Sequence, residues 1–96
     1  MTTTIERESH ASVWEAIGDS PEETANLQAR AQLMHQIGEL LKSKGWKQTE
    51  AARHCGVTQP RLNDLLRGRI SKFSLDALVN IATALGQRVK IEIEAA

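Results

Sequence analysis

Gly56 is the pivot of the most constrained stretch of the chain, Gln48 to Arg67, where two short helical segments are separated by too few residues for anything but a tight turn. Glycine suits that point because the turn demands a backbone conformation costly to a residue with Cβ. Ala52 is small enough to let the second segment cross closely over the first, and Val57, Leu62 and Leu65 supply an apolar wedge shared by both. This is the spacing of a helix-turn-helix unit.

The rest of the chain predicts an all-α domain around that unit. Ser20-Pro21-Glu22-Glu23 is a strong helix start: Ser20 caps, Pro21 suits the first helical position and Glu23 completes a capping box. From there Leu27, Ala31, Met34, Ile37 and Leu41, joined by Leu33 and Leu40, recur at three- and four-residue spacing as one apolar stripe. Gly45 ends this long N-terminal helix after Lys44, with Trp46 expected to fold back on Leu41 in a Schellman arrangement. Gly38 inside it marks a bend or a point of close packing. The second helix runs from Gln48 to Cys55. A third opens at Thr58, with Pro60 in its first turn, and closes at Gly68. Ser74 caps a fourth helix reaching Leu85, with Phe73 and Leu78 as a hydrophobic staple and Gly86 as its stop.

At the end the period changes. Val89, Ile91 and Ile93 alternate with Arg88, Lys90, Glu92 and Glu94, the pattern of a half-buried strand. A lone strand in a helical chain leaves backbone donors and acceptors unpaired on both edges, so it requires a partner. The simplest is the same strand of a second copy, antiparallel about a two-fold axis, which makes Val89, Ile91 and Ile93 the dimerisation residues. The alternatives are a disordered tail, a strand added to another protein's sheet, and an interface at the fourth helix. The domain organisation is therefore a flexible acidic arm over residues 1–19 and a helix-turn-helix domain with a C-terminal dimerisation strand over residues 20–96.

Twelve Lys and Arg balance twelve Asp and Glu over the 96 residues, yet the charges are segregated. Residues 1–26 hold six acids and one base, whereas residues 27–73 hold nine bases and three acids. A neutral total thus conceals a basic centre beside an acidic arm, the electrostatic footprint of a nucleic-acid binder. Three aromatics are too few for base stacking in the manner of single-strand binders. No apolar run approaches bilayer length and the start lacks the regions of a signal peptide, so a cytoplasmic, nucleoid-associated location is expected. The single Cys55 has no disulfide partner, and adjacent His54 and Cys55 point about 100° apart on a helix, so no metal site and no cofactor are expected. No nucleophile stands in a recognisable setting and no phosphate-binding glycine loop is present; a non-enzymatic role is expected.

Turning the third helix at about 100° per residue places Leu62, Leu65 and Leu66 inward and Pro60, Asn63, Asp64 and Arg67 outward, with Arg61 on one flank. Its amino end is the part that meets base edges, which makes Thr58, Gln59, Pro60, Arg61, Asn63 and Asp64 the base-reading set. Gln bridges adenine, Arg bridges guanine, and Pro touches apolar surface such as a thymine methyl. Asp64, awkward beside phosphate, is better explained by orienting Arg61 or Arg67 at helical spacing than by reading cytosine. Lys47, Gln48, Arg67, Arg69 and Lys72 are placed for backbone phosphates.

Gln48, Ala52, Gly56, Val57, Leu62 and Leu65 resemble the lambda-repressor/Cro (Xre) class of helix-turn-helix domains. A longer run resembles the small HigA-like antitoxins over roughly residues 13–94. It comprises Ser20-Pro21-Glu22-Glu23, Gly45, Gln59-Pro60-Arg61, Leu65-Leu66-Arg67-Gly68, Phe73-Ser74-Leu75-Asp76 and the terminal strand. The resemblance implies a lambda-repressor-like fold and a homodimer that binds double-stranded operator DNA as a repressor. It also implies the antitoxin part in a type II toxin-antitoxin pair, with a RelE-like ribonuclease toxin as partner. One departure is Lys47, where the family usually places a Thr or Ser cap; it leaves the second helix less well anchored. Val13, Trp14 and Ile17, an apolar patch within the acidic arm, are the expected toxin-binding residues, since a toxin that cleaves RNA is itself basic; the alternative is that Trp14 and Ile17 cover the amino end of the long helix. The alternatives are a stand-alone Xre-type regulator without a toxin, and a protein-interaction module that has lost DNA binding.

Overall fold

The computed structural model describes residues 20–95, and these fold as four α-helices and one short 3₁₀ turn. They are α1 (Pro21–Lys44), α2 (Gln48–Cys55), α3 (Gln59–Leu66), the 3₁₀ turn Ile70–Lys72 and α4 (Leu75–Ala84). Three of the four starts are capped as their sequences dictate. Ser20 Oγ accepts from the Glu23 N–H at 3.1 Å, Thr58 Oγ1 from the Arg61 N–H at 3.3 Å, and Ser74 Oγ from the Ala77 N–H at 3.1 Å. At the start of α2, Lys47 makes no side-chain cap, as its chemistry requires.

Three helix ends form the full Schellman arrangement. Behind Gly56, the Val57 N–H reaches the Ala52 carbonyl at 3.0 Å; behind Gly68, Arg69 reaches Asp64 at 3.0 Å; behind Gly86, Gln87 reaches Ala82 at 3.0 Å. At Gly45 only the inner bond appears among the described contacts, from its N–H to the Lys42 carbonyl at 3.3 Å. Trp46 packs against the core, and its ring also stacks on His54 of α2, centroids 3.9 Å apart and planes 9° apart.

The core is one cluster drawn from every helix. Met34, Ile37 and Leu41 of α1 meet Ala51, Ala52 and Cys55 of α2, Leu62 and Leu65 of α3, Phe73, and Leu78, Ile81 and Ala82 of α4. Phe73, Leu62 and Leu78 are its most deeply buried large side chains, which agrees with the staple expected across Ser74. Leu66 departs from the helical-wheel expectation. It is 44% exposed and lines an open cleft of about 300 Å³ between α1 and the end of α3. Gly38 lies on the same cleft, and a Cβ built there would meet nothing within 4 Å, so this glycine serves no close approach.

Among the described residues there is no strand. Beyond the Gln87 N–H, residues 88–95 enter no backbone hydrogen bond described within the chain, and the expected terminal strand is not formed in a single copy. The physical reason is that a β-ladder needs a second strand, and the described chain offers none. Val89 packs against the core, whereas Ile91 and Ile93 are 79% and 98% exposed.

Candidate nucleic-acid interface

Helix α3 is seated on the core by Leu62 and Leu65, which fixes what its other faces present. Thr58, Gln59 and Pro60 stand exposed at its amino end; Arg61, Asn63 and Asp64 are half-buried along its flank. The side-chain amide of Gln59 is thus presented at the end of α3, where a groove-entering helix meets base edges. Arg67, Arg69 and Lys72 follow in the exposed turn after α3, and Lys47 and Gln48 are exposed at the start of α2. These exposed residues, expected to face phosphates, therefore bracket α3 in sequence, at the start of α2 and after the end of α3.

Two arginines hold the turn that carries Lys72. Arg61 Nη1 donates to the Lys72 carbonyl at 3.2 Å, and its guanidinium carbon lies 4.3 Å from the Phe73 ring centre. From α1, Arg30 Nη1 donates to the carbonyls of Ile70 and Phe73, each at 3.1 Å, while its Nε donates to Asn26 Oδ1 at 2.8 Å. The 3₁₀ turn is thus gripped from two sides. The sequence gives no signal for Arg30, one charge in a basic stretch, because the carbonyls it holds in the turn lie 40 and 43 residues away. Arg61, expected at base edges, is engaged in the structure with the backbone of the adjoining turn.

Asp64 pairs with Arg69 at 3.4 Å rather than with Arg61 or Arg67. The Schellman turn at Gly68 brings the chain back over α3, so a residue beyond the helix end takes the place expected of an in-helix neighbour. Another pairing unsignalled by the sequence is the Trp46–His54 stack, with Lys44 Nζ 5.7 Å from the Trp46 ring centre. It fastens α2 to the α1–α2 turn, beside the uncapped Lys47.

Cys55 is buried, and that burial raises its thiol above the ordinary value of 9.0. It behaves as a small core residue rather than a reactive one. Among the described residues no group of three or more His, Cys, Asp or Glu is arranged to hold a metal ion, and no helix is long and apolar enough to cross a membrane. Val13, Trp14 and Ile17 lie outside the described residues.

Comparison with curated proteins finds no match. A family model described as a helix-turn-helix domain matches residues 16–94, a span that takes in all four helices and the terminal segment; the chain belongs to that helix-turn-helix family.

Proposed function

We propose that this protein is a sequence-specific repressor that binds duplex operator DNA as a homodimer, without catalytic activity of its own. The observation that carries the reading is the exposed amino end of α3, with Gln59 and Pro60 free of the core and Arg67, Arg69, Lys72 and Lys47 exposed on the flanking segments. Gln59 and Arg61 read base edges with Thr58, Pro60, Asn63 and Asp64 beside them; the flanking cations and Gln48 fix the register on phosphates. Two copies bind half-sites about 34 to 36 Å apart, one helical turn.

An electrophoretic shift titrated against salt tests this. With six to ten phosphate contacts, affinity falls by roughly 10³ to 10⁵ between 50 and 200 mM salt. Affinity indifferent to both salt and operator sequence refutes it and favours a protein-interaction module.

Within this reading the regulator is the antitoxin of a toxin-antitoxin pair. Support comes from the similarity to HigA-like antitoxins and from the concentration of acid in residues 1–26 around Val13, Trp14 and Ile17. A basic, RNA-cleaving toxin meets an acidic segment faster, and Trp14 is the natural buried anchor. Trp14→Ala abolishes co-purification with the toxin encoded alongside while leaving the melting temperature unchanged. Retained toxin binding with a large fall in melting temperature assigns Trp14 to the domain core instead. Absence of any small basic toxin gene beside this one leaves a stand-alone Xre-type regulator.

A further inference from the structure

The segment Arg88-Val89-Lys90-Ile91-Glu92-Ile93-Glu94 is antisymmetric in charge about Ile91. Positions equidistant from Ile91 carry opposite signs: Lys90 and Glu92 at one step, Arg88 and Glu94 at three. The intervening positions, Val89 and Ile93, are both apolar. In the single chain Lys90 Nζ lies 3.3 Å from Glu92 Oε2, with both side chains at least three-quarters exposed, so residues 90 and 92 share one side of an extended segment. Val89 touches the core while Ile91 and Ile93 are left bare.

We infer that this segment is a self-recognition strand whose partner is a second copy of this chain, paired antiparallel with the two-fold axis through Ile91. The inference rests on the homodimer reading above and adds its register and its selectivity. In that register Lys90 of each copy stands opposite Glu92 of the other, and Arg88 opposite Glu94. Four opposite-sign pairs form at once, and Ile93 of each copy covers the core-anchored Val89 of the other.

The neighbouring registers are poorer on the same residues. A parallel in-register pair sets Arg88, Lys90, Glu92 and Glu94 each against its own kind. Moving the axis to Lys90 or Glu92 places two like charges face to face on it. A slip by one residue sets charged side chains against the apolar face. The order of charges therefore favours a second copy of this chain joined about Ile91, the register that pairs the most opposite charges.

Two measurements test the register. Ile91→Cys brings two thiols together on the axis at a Cα separation of about 4.5 to 5.5 Å, within disulfide reach, and yields a covalent dimer on mild oxidation. Lys90→Cys and Glu92→Cys offset the thiols by about 7 Å along the strand and do not cross-link. The native chain, whose buried Cys55 is its only thiol, is the control. In the second measurement one variant carries Arg88→Glu with Lys90→Glu and another carries Glu92→Lys with Glu94→Lys. Each alone dissociates at least about 10-fold more readily than wild type in sedimentation, and the equimolar mixture restores the dimer.

Cross-linking at 90 or 92 as efficient as at 91, charge variants that remain wild-type dimers, or a mixture that fails to reassociate overturns the register while a dimeric wild type leaves the homodimer reading standing. A wild-type chain monomeric at all concentrations overturns both.

Discussion

The Arg61 guanidinium lies over the Phe73 ring at 4.3 Å and donates to the Lys72 carbonyl at 3.2 Å, so the recognition helix and the turn that follows it share one side chain. Phe73 is 1% exposed, which ties the Arg61 flank of α3 directly to the core. Arg61→Ala therefore lowers unfolding free energy by about 1 to 3 kcal/mol, the range for a charge-assisted hydrogen bond combined with a cation–π contact. Gln59→Ala, at an exposed position, leaves stability unchanged and relaxes base preference by about 1 to 3 kcal/mol if its contact is bidentate. Denaturant titrations set beside binding to matched and random operators separate the two. An Arg61→Ala chain of native stability that has lost base preference makes Arg61 a reader alone.

Arg30 grips the same turn from α1. Arg30→Met keeps the aliphatic stem but removes the donors to the Ile70 and Phe73 carbonyls. The expected loss is about 2 to 3 kcal/mol, because these are charge-assisted bonds in a partly buried site. The Ile70 carbonyl retains the Phe73 N–H at 3.2 Å, which holds the loss below that of two orphaned acceptors. Operator affinity falls in parallel, since Lys72 stands on the loosened turn. Equal melting temperatures for Arg30→Met and wild type reject the clamp.

What the sequence discloses follows the range of the interaction. Caps at Ser20, Thr58 and Ser74 and the glycine stops at Gly45, Gly56, Gly68 and Gly86 are decided within a few residues, and the structure has them where local chemistry puts them. The turn Ile70–Lys72 had no such signal, because part of what holds it is Arg30, some forty residues away. Local spacing directs Trp46 to the core but carries no sign of its stack on His54, a pairing set by how α2 crosses. Leu66 fits the helical wheel yet is exposed, facing the open cleft between α1 and the end of α3. The terminal strand reads clearly as a pattern, but a pattern of period two specifies a face and not the strand that pairs with it.

Cys55 gives the stability a pH dependence of known sign. Burial raises its thiol above 9.0 in the folded chain, so above that pH the unfolded chain ionises first and binds fewer protons than the native one. The associated stability is fully present below pH 9.0 and is lost as pH climbs through the folded value. Cys55→Ala removes this contribution and flattens the alkaline limb of a stability-against-pH curve. Iodoacetamide at pH 8 alkylates the native thiol slowly and completes only in denaturant. Rapid stoichiometric labelling of the folded chain contradicts the burial.

Gly38 and Gly56 separate the two reasons a glycine is present. Both have open space where a Cβ would stand, so neither substitution by Ala produces a clash. Gly38 sits inside α1 with ordinary helical geometry, where glycine is worse than alanine by roughly 0.5 to 1 kcal/mol through the freedom it gives the unfolded chain. Gly38→Ala therefore stabilises the domain by about that amount. Gly56 holds φ at 72°, and a side chain in that left-handed conformation costs about 1 to 2 kcal/mol. Gly56→Ala destabilises accordingly. It also bears on function: relief of the strain tilts α3 against α2, so operator affinity falls by more than the fraction unfolded explains. Denaturant midpoints of opposite sign for the two variants are the expected result, and a shift in the same direction for both refutes the assignment.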